Sequence, residues 1–367
     1  MSPAVPPGSP RAELTAIDVP LATRLGPLTL APLPVPRCRW LRPGDGPRLT
    51  ALVRACYGET YSQRSLYDAG ELDALWASGT LASAGELDER GELVGHTAFW
   101  HKDPHLDSVD SCLSFVHPRH RLRAGHDAAA LWPFFLEQLG RTYAFVHQAT
   151  TTVHALAQRY AQRRMRAVPT GLVVGWAVDE DVVGFGRADA MHAVSMTSYI
   201  ATTVASPRRC AVPDGPWAGW LEETLAGGPV PRCAERVAPE TSSQGDGWTL
   251  RSIERSAGLS LERRVLAPRP GAEALPAHVW ETPARVDLVH LAVDDAGVMA
   301  RGAPLLRARG YLPVGVRLHL SRPDEIVFQR FAGGAAAARA AIAGARLAAG
   351  APRTLFEGWS EACARAS

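Results

Sequence analysis

A basic run in the first half of the chain has the composition of a phosphate-binding turn. Arg119, Arg121 and Arg123 alternate along it, and Gly125 follows them. Guanidinium groups hydrogen-bond phosphate oxygens, and glycine lets backbone amides come close to an anion. A helix that starts just after this run would also direct its N-terminal amides at the anion. The alternative interpretation is a solvated basic turn that begins an ordinary helix.

Two groups suited to proton transfer lie on either side of this run in the sequence. Asp110 and His154 belong to the ends of two neighbouring predicted strands, the second of which is predicted over Thr150 to His154. An imidazole titrates near neutral pH, so the two side chains have the chemistry of an acid and a base. We expect them to flank one cleft. In the alternative interpretation, Asp110 is a surface carboxylate at a strand end and His154 is a hydrogen-bonding cap.

Composition excludes several other classes of protein. Of 367 residues, 46% are hydrophobic and 21% are charged, which is typical of a globular protein. Lys and Arg total 39 against 37 for Asp and Glu, which excludes a strongly basic nucleic-acid-binding protein. The six cysteines are scattered without a CxxC pair, so we expect reduced thiols and a cytoplasmic location. Neither a secretory signal nor a membrane span is recognisable.

Five histidines cluster in this region but lack the spacing of zinc ligands, so we expect no metal site. They are His101, His105, His117, His120 and His126.

The apolar periodicity predicts an α/β chain in two parts. A Pro-rich extension covers residues 1–36. Strand, helix, hairpin, strand, helix, strand, helix and strand then follow up to about residue 180, and we predict one domain over 37–180. A second domain is predicted over 181–367, where strand, helix, strand, strand recurs near 286–331 and an Ala-rich pair of surface helices ends the chain.

The first of these domains resembles the GCN5-related N-acetyltransferase (GNAT) superfamily over about residues 38–180. The segments that carry the resemblance are LASAGELDERGELVGHTAF, CLSFVHP, RHRLRAGH and TTVHALAQ. The likeness is closest to a bacterial subgroup in which a complete acyltransferase domain precedes a degenerate second copy. It implies an α/β fold of tandem GNAT-like mixed sheets flanked by helices.

The resemblance also implies a donor site. The superfamily binds the coenzyme A pyrophosphate on a loop with Arg or Gln, two residues, Gly, one residue, and Gly or Ala. The equivalent run here is Arg121 to His126, in which Ala124 and His126 replace the two small residues and Gly125 lies between them. The implied donor-binding residues are Ser114, Phe115, Val116, Arg119, Arg121, Leu122, Arg123, Ala124, Gly125 and His126.

Catalytic positions follow from the same resemblance. Asp110 lies where the subgroup often has Glu, and Tyr160 lies near the tyrosine that acts as an acid in many members. Together with His154 they form the predicted catalytic set. The alternative for Tyr160 is a half-buried aromatic that packs against the core.

The function implied is acyl transfer to an amine by direct attack in a ternary complex. The donor would be acetyl-CoA or another acyl-CoA, or an acyl carrier protein whose acidic surface suits the arginines of the loop. The acceptor would be an amine of a small molecule or a peptide, and we expect no membrane or nucleic-acid partner. The alternative is a non-catalytic binding or scaffold protein that kept the fold with an impaired coenzyme A loop.

Overall fold

The structure is a computed structural model that describes part of the chain. The described residues are 31–61, 63–101, 108–121, 131–151, 155–174, 181–182, 186–187, 194–202, 207–239, 248–256, 261–268, 286–320, 323–331, 333–343, 345 and 347–366. The predictions for Leu122, Arg123, Ala124, Gly125, His126 and His154 lie outside these residues.

A 12-stranded mixed sheet is the centre of the fold. Its strand order is β1-β2-β3-β4-β5-β9-β6-β15-β16-β14-β13-β12, and two smaller sheets pair β10 with β11 and β7 with β8. The strands are β1 Cys38–Trp40, β2 Leu81–Leu87, β3 Leu93–Trp100, β4 Ser108–Val116, β5 Phe145–Thr151, β6 Val168–Val174, β7 Asp181–Val182, β8 Gly186–Arg187, β9 Val194–Ala201, β10 Arg208–Pro213, β11 Arg232–Val237, β12 Trp248–Ser256, β13 Leu261–Pro268, β14 Val286–Ala292, β15 Tyr311–Arg317 and β16 Glu325–Arg330.

Helices flank the sheet, and their bounds follow the capping signals of the sequence where these are present. Asp68 and Asp295 each accept a hydrogen bond from the first turn of a helix. The helices are α1 Gly46–Tyr57, α2 Ala69–Ala77, α3 Trp132–Gly140, α4 Ala155–Arg163, α5 Ala218–Ala226, α6 Ala296–Ala308, α7 Gly334–Ile342 and α8 Ala351–Ala366. No membrane-crossing helix occurs in the part of the chain that the structure describes, since none there is long and apolar enough.

The N-terminal half of the sheet runs from β1 to β6. Strands β1 to β4 pair antiparallel in sequence order, β5 is parallel to β4, and β9 lies antiparallel between β5 and β6. The predicted mixed α/β fold, with helices on the faces of the sheet, is confirmed. The division at residue 180 stays a prediction; β9, which follows it in sequence, pairs with strands that precede it.

The C-terminal half contains the same arrangement of strands as the N-terminal half, extending in the opposite direction from the junction between them. Outward from the junction the first half reads β6, β9, β5, β4 and the second reads β15, β16, β14, β13. In both runs the third and fourth strands are parallel and the other pairs are antiparallel. In chain order both runs are therefore connected in the same way.

Two glycines make the junction between the halves. β6 and β15 pair only at Gly171 and Gly315, and a Cβ on Gly171 would lie 2.8 Å from the Gly315 Cα. The Gln329 side chain extends the junction, since it donates to the Val174 carbonyl at 2.8 Å and accepts from the Val174 amide at 3.0 Å. Side-chain hydrogen bonds therefore continue the strand ladder where the backbones separate.

Different helices cover the two faces of the N-terminal half. α1 and α2 pack on one face around Leu49, Leu72 and Phe115. α3 and α4 pack on the other face around Phe135, Val109 and Val146. Because successive strand residues point to opposite faces, Asp110 and His147 lie on the α1–α2 face.

Two features of the C-terminal half differ from what the sequence predicts. The parallel pair β10 and β11 was not predicted, and a buried ion pair between Arg232 and Asp324, at 2.5 Å, ties β11 to the segment before β16. The Ala-rich segment was expected to be a surface helix pair. Instead, Ala338 of α7 and Trp359 of α8 are buried in the core, because alanine faces allow helices to pack closely.

Candidate active site

A β-bulge in β4 is the first feature of the candidate site. His96 pairs with Phe115 and Ala98 pairs with Cys112, so two residues of β4 lie opposite one residue of β3. Leu113 within the bulge has φ +57°, a left-handed conformation that is rare for a leucine. Bulges of this kind redirect a strand and are frequent next to active sites.

His96 holds this bulge in place. Its Nδ1 lies 2.7 Å from the Leu113 carbonyl oxygen, and its ring stacks on Phe115. Burial lowers the pKa of His96 to about 4, so the imidazole is neutral at pH 7. Since a carbonyl oxygen only accepts, Nδ1 carries the ring proton. The hydrogen bond therefore fixes the tautomer of the ring and the course of the strand together.

The parallel strands β4 and β5 stop pairing with each other just before the bulge in β4. β4 and β5 are paired from Ser108 with Phe145 to Ser111 with Gln148. β4 then continues to Val116 and β5 to Thr151 without further pairing between them in the described residues. The strands thus open into a cleft whose walls are backbone edges.

Polar atoms without partners line the start of this cleft. Ser111 Oγ, Gln148 Oε1 and Thr150 Oγ1 are buried and have no hydrogen-bond partner among the residues that the structure describes. Ser111 pairs with Gln148, and Thr150 follows two residues later, so all three lie on the α3–α4 face. Unsatisfied buried polar atoms are costly. These three are suited to a ligand that brings hydrogen-bond donors into the cleft.

On the opposite face, Asp110 pairs with a histidine that the sequence analysis did not select. Its Oδ1 lies 2.8 Å from Nδ1 of His147, and about a fifth of the His147 side chain is exposed. Because a carboxylate accepts, Nδ1 carries the proton and Nε2 of the neutral ring keeps its lone pair. The pair has the arrangement of a general base oriented by a carboxylate.

Tyr199 packs beside this pair. Its ring centroid lies 4.9 Å from that of His147. Burial raises the pKa of Tyr199 far above its usual value, and the Asp110 and Glu325 carboxylates raise it as well, whereas Arg317 lowers it. The phenol is therefore neutral, and charges from β15 and β16 of the C-terminal half act on the same small region.

Tyr160 lies on the other face of the sheet. It belongs to α4 and packs against the cluster that contains Val109 and Val146. Burial raises the pKa of Tyr160, so its hydroxyl stays protonated at neutral pH. Its packing agrees with the half-buried alternative, and its role as an acid stays a prediction.

The basic turn follows β4 as a short 3-10 turn over Pro118–His120. Arg119 is exposed, and its amide donates to Nδ1 of His117 at 3.2 Å. Burial lowers the pKa of His117, and the nearby cations His120, Arg119 and Arg121 lower it further. Arg121 lies against the Cys56 thiol, whose pKa burial raises to about 11. The described start of the loop is therefore strongly positive.

The predicted set is thus divided by the structure. Asp110 meets His147 at the paired start of the two strands, Tyr160 lies across the sheet from this pair, and the prediction for His154 lies outside the described residues. Ser114 is exposed and its hydroxyl lies 3.0 Å from that of Thr97, while Phe115 is buried under α1. His147 was missed because the predicted strand began at Thr150. The apolar residues Phe145 and Val146 were the signal that it begins earlier.

Within the described residues, no group of three or more His, Cys, Asp or Glu side chains has the arrangement of a metal site.

Comparison with known proteins finds similar folds among acetyltransferases. The phosphinothricin acetyltransferase of the GNAT superfamily from Sinorhizobium meliloti, in complex with acetyl-CoA, is 14% identical, with a TM-score of 0.35 over 45% of this chain and 86% of that one. The ribosomal-protein-S18-alanine N-acetyltransferase from Escherichia coli is 12% identical, with a TM-score of 0.35 over 46% and 95%. A mutant form of the spermidine/spermine N-acetyltransferase from Vibrio cholerae is 14% identical, with a TM-score of 0.33 over 45% and 93%. Neither a protein-family model nor a curated protein matches this chain.

Proposed function

We propose that this protein is an N-acyltransferase that moves an acyl group from a thioester to an amine. The observation that carries the proposal is the opening of β4 and β5 beyond Ser111 and Gln148, beside the strained bulge at Leu113. An extended pantetheine arm has amide groups that pair with strand edges. Its N–H groups would satisfy the unpartnered oxygens of Ser111, Gln148 and Thr150.

The donor's phosphate end would lie at the basic turn. Arg119 and Arg121 begin the loop to which the GNAT resemblance assigns the pyrophosphate, and their charge attracts an anion. Leu122, Arg123, Ala124, Gly125 and His126 complete that proposed loop. Both acyl-CoA and an acyl carrier protein present a phosphate on pantetheine, so the charge alone favours neither.

The acceptor would approach from the α1–α2 face, opposite the donor. There the Asp110–His147 pair is partly exposed and accepts protons at His147 Nε2. The Asp110 carboxylate acts on this region and favours a positively charged amine, while Arg317, which acts on the same region, limits the positive charge that the acceptor can carry. The reversed repeat of strands supports the further proposal that the second half is a degenerate copy that shapes the acceptor groove.

The reaction would then proceed by direct attack. His147 takes a proton from the ammonium group while Asp110 holds its ring, and the free amine attacks the thioester carbonyl carbon. A C–N bond forms and the C–S bond breaks, with the carbonyl oxygen stabilised by backbone amides of β4. The attacking nitrogen loses its second proton to solvent, the departing sulfur takes a proton that the Tyr160 hydroxyl is proposed to supply, and the tyrosinate regains a proton from solvent. His154 remains a second candidate base in the same proposal.

The test measures release of free thiol from acetyl-CoA with a panel of primary amines. His147→Gln should lower kcat by about 100-fold or more with little change in the KM for acetyl-CoA, since a base acts on the rate. Asp110→Asn should lower kcat less and alter the pH profile. Asp88→Asn, a hairpin-turn carboxylate, is the matched control and should leave turnover unchanged.

Binding experiments separate the enzyme from a scaffold. Coenzyme A and a pantetheinylated carrier protein are compared by thermal shift, because a ligand of the folded state raises Tm. Binding of either, abolished by Arg121→Ala, supports the donor site. If neither binds at millimolar concentration, the acyltransferase proposal is wrong and the non-catalytic alternative holds.

A further inference from the structure

A cavity of about 470 Å³ lies in the C-terminal half, apart from the candidate active site. It is bounded by the ends of β10 and β11, by one side of α6 and by the start of α7. None of the residues discussed for acyl transfer lines it. Its volume is within the range of sites for small organic ligands, which is about 300–1,000 Å³.

Much of the lining of this cavity is apolar, and one of the lining residues carries a hydrogen-bond donor without a described partner. Met299 and Ala303 of α6 line it and are fully buried. Trp217, which is 2% exposed, also lines it, and its indole Nε1 is buried with no hydrogen-bond partner in the described part of the chain. Buried tryptophan N–H groups usually find an acceptor, so this wall is complementary to a ligand that carries one.

The rim of the cavity has a second donor without a partner. Arg307, near the end of α6, is exposed and lines the cavity, and it makes no ion pair with any residue that the structure describes. The acidic residue on the rim is already engaged. Asp214 accepts from the Gly215 amide at 2.9 Å and lies 3.9 Å from Arg236. The cavity therefore offers cationic and N–H donors around an apolar body.

We propose that this cavity binds an amphiphilic carboxylic acid. The apolar part would fill the space beside Met299 and Ala303, and the carboxylate would bind Arg307 at the rim, with the Trp217 N–H as a second donor. A carboxylate accepts hydrogen bonds from both groups, and the apolar part of the ligand stabilises the complex because it removes the apolar lining of the cavity from water. The inference is independent of the acyltransferase proposal.

The experiment measures binding of octanoate and of 1-octanol to the full chain by isothermal titration calorimetry. Octanoate should bind about tenfold more tightly than octanol, which is the value of one charge-assisted hydrogen bond. Arg307→Gln should abolish that preference. Arg309→Gln, on the same helix end but outside the cavity lining, is the matched control and should preserve it.

A second variant tests the hydrogen-bond donor of Trp217. Trp217→Phe keeps most of the apolar surface and removes the N–H, so it should weaken octanoate about fivefold. His147→Gln should leave octanoate binding unchanged, which separates this cavity from the proposed active site. Absence of octanoate binding at millimolar concentration overturns the inference. Binding that neither Arg307→Gln nor Trp217→Phe weakens also overturns it, because the acid then binds elsewhere.

Discussion

Mild acid should destabilise this protein chiefly through His96. The ring is buried and neutral, and its pKa in the folded protein is lowered to about 4 from an ordinary 6.5. Below about pH 6.5 the unfolded chain takes up a proton that the folded protein does not accept until about pH 4. The free energy of unfolding therefore has its full value above about pH 6.5 and decreases as the pH falls from there to about 4.

The size of the loss follows from the two pKa values. A difference of about 2.5 units corresponds to about 3 kcal/mol when both states are protonated. At pH 5 the unfolded chain is almost fully protonated at this site and the folded chain is not, so about 2 kcal/mol should already be lost. Glu325, whose pKa His290 and His319 lower despite burial, loses its stabilising contribution only below about pH 4.5, where the unfolded chain takes up a proton that the folded carboxylate does not.

Urea unfolding at pH 7, 6 and 5 measures this loss. His96→Asn keeps an N–H that can donate to Leu113 but does not titrate, so its unfolding free energy should fall about 2 kcal/mol less than that of the wild type. Phe115→Leu is the control, because it weakens packing on the same ring and should lower stability equally at every pH. If His96→Asn and the wild type lose the same free energy between pH 7 and 5, the assignment to His96 is refuted.

Urea unfolding also tests three further positions. Gly171→Ala places a Cβ against the β15 backbone and should cost about 3 kcal/mol, whereas Gly219→Ala, in α5 with open space around it, should be neutral or stabilise by up to about 1 kcal/mol; equal effects would contradict the tight junction. Glu325→Gln removes the carboxylate that His290 binds at 2.9 Å and should cost about 3 kcal/mol at pH 7; no loss would mean that the buried charge is not stabilising. Asp68→Ala removes the α2 cap and should cost about 1 kcal/mol, and an unchanged midpoint would show that the cap is dispensable.

Local sequence signals predicted the elements of the N-terminal half well. The predicted order of strand, helix, hairpin, strand, helix, strand, helix and strand depends on neighbours within a few residues, and it agrees with the elements from β1 to β6 except that α2 was not predicted. The α/β class followed from the alternation of such elements. The parallel pair β10 and β11 was missed because its partners are separated by a helix and have no strong alternation of their own.

The candidate site depended on information that no local pattern contains. The sequence supplied an acid at Asp110 and nearby histidines, but the parallel register of β4 and β5 decides that His147, rather than another histidine, meets it. A shift of one residue along a strand reverses the face on which a side chain lies. The bulge at Leu113 changes that alternation within one strand and is held by His96, which has no sequence signature. Residue types and helix ends were thus determined along the chain, while pairing across the sheet, which joins segments far apart in sequence, was decided only by the tertiary structure.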